Sequence, residues 1–246
     1  MLLVDRETMQ KIDNFAINEL KIPSLCLVER AALSVMDNIN LDIRQTFAIV
    51  VSCGNNGADG LALARNLLAL GKNCYIYIIG NKNKASRDFI INYNACKNLT
   101  KEIYSIETIE DMDFLRENLD KVNTIIDGIF GTGLNRPVSG IYANIIDLIN
   151  EKNIYTISID LPSGFDANGI NNYGSYVDSD LIVCMQIFKK GLYEDRYFRD
   201  KTFVCDIGLP KIAIEKFTEI WKKIKWKYII NNWIELWWEV VVKNSL

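Results

Sequence analysis

Apolar residues recur at spacings of three and four near the start of the chain: Met9, Ile12, Phe15, Ala16 and Leu20, then a second run from Leu25 to Ile39. That period lines one face of a helix, so two helices open the protein. Beyond them the pattern changes to short β-branched runs alternating with amphipathic stretches. Phe47–Val51, Tyr75–Ile79, Val122–Ile126 and Ile154–Ile159 read as strands, and Asp180–Met185 and Thr202–Asp206 as further extended segments. Leu61–Leu70, closed by Gly71, reads as a helix, as do Ser86–Lys97, Ile109–Leu119 and Ile141–Ile149. Strands that are apolar on both faces, alternating with helices, predict an α/β fold: a mainly parallel sheet covered on both sides, in three layers.

Composition narrows what such a fold does here. The 246 residues are 49% apolar and 24% charged, which suits one sizeable globular core and leaves a second full domain cramped. There is no histidine, so acid–base chemistry falls to Asp, Glu, Lys, Tyr or Cys. Net charge is −3 and no segment gathers the basic residues into a stripe, so nucleic acid is not an expected partner. The six cysteines, Cys26, Cys53, Cys74, Cys96, Cys184 and Cys205, include no C-x-x-C pair and read as reduced core residues of a cytosolic protein. Asp5, Arg6 and Glu7 follow only a few apolar residues, which leaves no room for a signal-peptide apolar region, and no apolar run is long enough to span a bilayer. A cytoplasmic location away from membranes is the expectation.

Ligands of parallel α/β sheets bind beyond the carboxyl ends of the strands, where helix N-termini point their free N–H groups. Three strand-end segments carry chemistry there. Cys53-Gly54-Asn55-Asn56-Gly57-Ala58-Asp59-Gly60 is rich in glycine and short polar side chains; it reads as a loop that lets its backbone approach a ligand, or as a plain strand-to-helix turn. It is neither a Walker A loop nor a G-x-G-x-x-G fingerprint, which counts against a dehydrogenase using intact NAD. Asp127 through Pro137 places a carboxylate at a strand end, then Gly131-Thr132-Gly133 able to wrap an anion, then Arg136 for a phosphate, unless it is a turn that Asp127 caps. Asp160-Leu161-Pro162-Ser163-Gly164 brings Asp160 and Ser163 out at a strand terminus on a tight path that aims both at one space, whereas Asp166, Asn168 and Gly169 read as turn formers.

In order and spacing, Asn55-Asn56-Gly57-Ala58-Asp59-Gly60, Asp127 with Phe130–Leu134, and Ile159–Asp166 resemble the YjeF N-terminal domain family, the NAD(P)HX epimerases. The likeness runs from about Leu3 to Pro210 and includes Ile22-Pro23, Glu29-Arg30-Ala31, Lys189-Lys190-Gly191-Leu192 and Asp206–Pro210. It implies a Rossmann-like αβα sandwich, a homodimer, and interconversion of the R and S forms of hydrated NADH and NADPH (NADHX and NADPHX), which a partner NAD(P)HX dehydratase then restores. It puts Asn55, Asn56, Gly57, Ala58, Asp59, Gly131, Thr132, Gly133, Leu134, Asn135, Arg136, Pro137 and Asp160 around the dinucleotide. It puts Asn56, Asp127 and Ser163 on one potassium ion per subunit, a set of oxygen donors suited to a hard cation. Ala58 departs from the glycine common in the family, and Gln186-Ile187-Phe188 is bulkier than usual before Lys189.

Epimerisation at C6 of the hydrated nicotinamide ring needs a proton delivered to, or taken from, an oxygen beside a developing charge. Asp160 is the first candidate for that work or, alternatively, a ring or ribose anchor. Lys189 is the second, as proton donor, as phosphate or carboxamide contact, or as a solvated turn residue. A non-catalytic nucleotide-binding or dimerisation scaffold of the same fold is the competing function. After Pro210 the character changes: all five tryptophans fall between Trp221 and Trp238 among crowded lysines. Residues 211–246 are therefore set apart from a domain spanning 1–210, either as a surface helix or as the aberrant remnant of a junction to a dehydratase domain.

Overall fold

The computed structural model describes residues 1–218; the tryptophan-rich stretch lies outside the described residues. A short strand, β1 (Leu3–Val4), leads into α1 (Arg6–Asn14), capped by the Asp5 carboxylate on the Thr8 amide. The helix widens into a π turn over Phe15–Glu19, and α2 (Ser24–Asp37) follows. Then come β2 (Thr46–Ser52), α3 (Asn55–Ala69), β3 (Asn73–Ile79), α4 (Arg87–Leu99), β4 (Ile103–Ile106), α5 (Ile109–Leu119), β5 (Thr124–Gly128), α6 (Ile141–Lys152) and β6 (Thr156–Ile159). The chain continues through β7 (Leu181–Met185), β8 (Phe188–Lys189), two short helices α7 (Lys190–Glu194) and α8 (Arg196–Arg199), β9 (Thr202–Cys205) and α9 (Lys211–Phe217).

Seven strands form one wholly parallel sheet in the order β4-β3-β2-β5-β6-β7-β9, the doubly wound Rossmann-like arrangement with an extra edge strand. Both faces of its central strands are buried, which is why they read as unbroken apolar runs. Phe47, Ile49 and Val51 pack against α1 to α4, while Ala48 and Val50 pack against Leu115 and Leu119 of α5 and Ile145, Ile146 and Ile149 of α6. No helix among the described residues is long and apolar enough to cross a membrane.

Several boundaries differ from the sequence reading. The helix expected over Leu61–Leu70 begins at Asn55, so the glycine-rich segment is its first turns rather than a loop. The strand expected over Val122–Ile126 ends two residues later, at Gly128. The periodicity missed β4, whose four residues Ile103–Ile106 include only one that is fully buried, and the two-residue strands β1 and β8, which pair in a separate parallel ribbon. All six cysteines are free, but Cys26 is exposed, not a core residue. Helix α9 lies within residues assigned to the tail, yet it docks on α1, with Ala213 buried and the Phe217 ring edge-on to Phe15 at 5.7 Å.

Candidate active site

The chain leaves β2 toward β3 and β4, then returns to the other side of β2 at β5, so the strand order reverses between these two neighbours. Such a switch point opens a crevice at the carboxyl ends, and a cleft of about 580 Å³ lies there. Its walls are the start of α3, the segment 129–136 after β5, Asp160 after β6, and one face of α1 and α2. Lys189 and Met185 close the floor.

Asp160 directly follows β6 with a left-handed φ of 67°. Asparagine and aspartate tolerate that region better than other side chains, and such a conformation outside a glycine is characteristic of functional turns. The turn sends the carboxylate into the cleft, where Thr132 donates to Oδ2 from its amide at 3.0 Å and its hydroxyl at 2.5 Å. The Met185 amide donates to Oδ1 at 3.3 Å, and Lys189 Nζ donates to the same oxygen. Lys189 is wholly buried, placed by the β8 pairing of its residue with Val4, and its Nζ also donates to the Met185 carbonyl at 2.7 Å. Burial alone would raise the Asp160 carboxyl; the adjacent ammonium and the Thr132 donors more than offset it and hold it below the ordinary range. Burial would likewise lower Lys189, and the carboxylate reverses that, keeping the ammonium charged to strongly alkaline pH.

Asp127 and Ser163 lie beneath the cleft and do not line it. The Asp127 carboxylate accepts from the Ser163 amide at 2.8 Å, the Ser163 hydroxyl at 2.5 Å, the Ser158 hydroxyl at 2.7 Å and the Ile129 amide at 3.3 Å. The Ser163 hydroxyl also accepts from the Phe130 amide at 2.8 Å, which ties the segment after β6 to the segment after β5. Asp160 and Ser163 therefore do not share one space: the left-handed turn at Asp160 sends its side chain to the cleft, while Ser163 turns inward onto Asp127. Burial pushes the Asp127 carboxyl up, and no lysine or arginine among the described residues faces it. A buried carboxylate ringed by hydroxyls and amides but lacking a cation is a donor set that fits a bound cation. The buried Nδ2 of Asn56 has no hydrogen-bond partner among the described residues, and its carboxamide abuts Gly131.

The first turns of α3 explain the glycines differently from the sequence reading. A Cβ on Gly57 would fall 1.7 Å from the Ser52 carbonyl, and one on Gly60 would fall 2.6 Å from Val51 Cγ1. These residues are small so that the helix can press against β2, not so that a loop can wrap a ligand. Gly57 and Ala58 are consequently buried and do not reach the cleft, whereas Asn55, Asn56 and Asp59 line it. Ala58 sits in regular helix, which an alanine favours over glycine. No side chain among the described residues caps this 15-residue helix, so its first amides and its dipole are offered to an anion. At Gly131 a Cβ would lie 3.0 Å from Asn56 Oδ1 and 3.1 Å from Asp160 Oδ2, so a larger residue would crowd both side chains.

Gly131, Thr132, Gly133, Leu134, Asn135 and Arg136 all line the cleft, and exposed Pro137 does not. Arg6 braces this wall from α1, its guanidinium donating to the Leu134 carbonyl at 3.0 Å. Asp166 takes the amides of Asn168, Ile170 and Asn171 at 2.9–3.1 Å, as a turn former does. Sequence reasoning missed Asp13 of α1 and Asp88 of α4, both on the cleft wall. The signal for Asp13 was present: it stands four residues after Met9 and beside Ile12, on the helix face otherwise reserved for the core. Burial, together with Asp160, Asp13 and Asp88, pushes the Asp59 carboxyl well above its ordinary value, so the cleft gathers four carboxyls around one paired lysine.

With this geometry in place, likeness to known proteins is informative. Residues 24–191 match the family model described as YjeF-related protein N-terminus. A protein of Anaerococcus prevotii named NAD(P)H-hydrate epimerase is 58% identical over 214 residues, which cover 87% of this chain and 98% of that one. Another of the same name, from Oenococcus oeni, is 32% identical over 85% of this chain and 97% of its own. The crystal structure of yeast ynu0 superposes with a TM-score of 0.74 over 88% of this chain and 93% of its own; at 19% identity that likeness is one of fold. The chain is a member of the YjeF-related N-terminal family.

Proposed function

We propose that this protein is an isomerase, an NAD(P)H-hydrate epimerase that interconverts the R and S forms of NADHX and NADPHX. The observation that carries the reading is the Lys189-paired carboxylate of Asp160 in a switch-point cleft, in a chain 58% identical to a protein of that name. C6 of the hydrated ring carries a hydroxyl next to the ring nitrogen, and loss of that hydroxyl leaves a cationic iminium. A fixed carboxylate beside the ring stabilises that developing charge without having to reorient, which is the strongest form of electrostatic catalysis. Asp160 and Lys189 form the catalytic pair in this reading: the carboxylate faces the ring and the ammonium keeps it charged.

Asn55, Asn56 and Asp59 with residues 131–136 hold the dinucleotide, its pyrophosphate against the uncapped start of α3 and Arg136. Gly57, Ala58 and Pro137 contribute by setting the backbone path. Asn56, Asp127 and Ser163 would hold one potassium ion per subunit, whose positive charge would offset the buried Asp127 and tie the two strand-end segments together. A homodimer, a separate NAD(P)HX dehydratase that consumes the S form, a cytoplasmic location and a functional unit spanning 1–210 belong to the same proposal. Its test is conversion of purified R-NADHX, with the S form removed by an added dehydratase and read as NADH absorbance. A rate well above the spontaneous one is expected; no acceleration would favour the non-catalytic scaffold.

A further inference from the structure

Epimerisation requires a group that can give and take a proton near the working pH. Neither member of the Asp160–Lys189 pair is such a group, because each holds the other in its charged form. The Asp160 oxygens are already occupied by two amides, a hydroxyl and an ammonium, which makes the carboxylate a weak base. A different carboxyl faces the same space. Asp13 lines the cleft from α1, is partly buried, and has no hydrogen bond or ion pair with any described residue. The helix widens into its π turn two residues later, a distortion common beside functional positions.

We propose that Asp13 is the acid–base residue of this site, passing a proton to and from the C6 hydroxyl oxygen of the hydrated nicotinamide; this rests on the epimerase reading above. The titratable groups facing it are Lys189 from β8, Asp160 from the turn after β6, and Asp59 from α3. Helix α9 also packs on α1, but its Lys216 lies over the Phe15 ring at 3.8 Å and its Lys211 pairs with Glu215. Burial pushes the Asp13 carboxyl up, Lys189 pulls it down and Asp160 pushes it up again, for a net value of about 6. Two carboxyls of one cleft are thus driven apart, Asp160 below the ordinary range and Asp13 above it, the pattern that separates an electrostatic anchor from a proton donor.

The step balances as follows. The Asp13 proton moves to the hydroxyl oxygen, the C6–O bond pair leaves with it as water, and the ring-nitrogen lone pair closes the C6=N bond beside Asp160. Water then adds to C6 from the opposite face, the π pair returns to nitrogen, and the excess proton passes to solvent, from which Asp13 is reprotonated.

The test combines a titration with kinetics. In the ligand-free protein the Asp13 carboxyl carbon, followed by NMR and assigned by its loss in Asp13→Asn, should titrate near pH 6; a midpoint near 4 overturns the proposal whatever the activity. In the R-NADHX assay the wild-type kcat should fall as pH rises through that midpoint. Asp13→Asn should lower kcat roughly 10²–10⁴-fold, leave KM within a few-fold and erase the pH limb. Asp13→Glu should keep part of the rate with a displaced limb, which reads the role even if the asparagine variant folds poorly. Unchanged kcat in Asp13→Asn, or a limb that survives it, refutes the role of Asp13 while leaving the epimerase intact. A wild type without acceleration refutes the epimerase reading and with it the proposal.

Discussion

Replacing Lys189 by methionine removes the cation that pairs with Asp160 at the cleft floor while keeping nearly the same shape. Two acceptors lose a donor and keep only a backbone amide: Asp160 Oδ1, left with the Met185 amide, and the Met185 carbonyl, left with the Ile187 amide. Lys189 is 1% exposed and the Asp160 side chain 13%, so water cannot fully replace the lost ammonium. Breaking a buried pair from one side typically costs about 3–5 kcal/mol, which for a chain of this size corresponds to roughly 6–20 °C in Tm. The loss depends on pH in a definite sense. In the wild type the Asp160 carboxyl is held below its unfolded value, so the pair stabilises at neutral pH, and that stability is lost as pH falls through the low folded value. In Lys189→Met burial acts with less opposition and raises the carboxyl, so the folded variant binds a proton more readily than the unfolded chain and loses stability as pH rises. The gap between wild type and variant should therefore widen from pH 4.5 to pH 7.5, measured by thermal or urea unfolding. A gap that is constant with pH, or below about 1 kcal/mol throughout, would refute the claim that the pair is electrostatically coupled in a dry site. The double variant Lys189→Met with Asp160→Asn should recover part of the loss, since the stranded charge is gone.

Gly57→Ala should destabilise by several kcal/mol or abolish folding, because its Cβ would overlap the Ser52 carbonyl, whereas Ala58→Gly should cost only about 1 kcal/mol of helix propensity; urea unfolding distinguishes them. Asp127→Asn sets an amide NH₂ among the Ser163 and Ser158 donors and should cost about 1–3 kcal/mol. Potassium should raise the wild-type Tm relative to a large organic cation and leave Asp127→Asn unmoved; indifference of the wild type to potassium would count against the proposed ion. Arg136→Ala should raise KM for R-NADHX with little change in kcat, as expected for a phosphate contact remote from C6, and steady-state kinetics in the coupled assay would show it.

Much of the fold was legible because buried parallel strands leave a strong signal. Phe47–Val51 and Tyr75–Ile79 are apolar on both faces and were read within two residues of their ends. What stayed hidden was short or doubly used. Strands β1 and β8 have two residues each, too few for any period, yet their pairing is what places Lys189. The start of α3 was misread because glycine marks both loops and close helix–strand contacts, and only the 1.7 Å clearance at Gly57 separates the two. In the site, the order of the three strand-end motifs brought out Asp160 and the segment after β5 correctly as cleft walls, but Asp127 and Ser163 proved to face each other under the floor.

By itself the sequence determined the layered α/β class, the strand-end positions of the polar motifs and the exclusion of histidine chemistry, since each follows from local pattern or from residue type. Tertiary structure alone decided which carboxyl is pushed toward its charged form and which toward its protonated form. Asp13, Asp59, Asp127 and Asp160 are the same residue type in the chain, and they become different through burial and through an ammonium that pairs directly with Asp160 and acts on Asp13 only from a distance. The physical reason is that a carboxyl's proton affinity is set by its solvation and by charges a few ångströms away, contributed by segments distant in sequence.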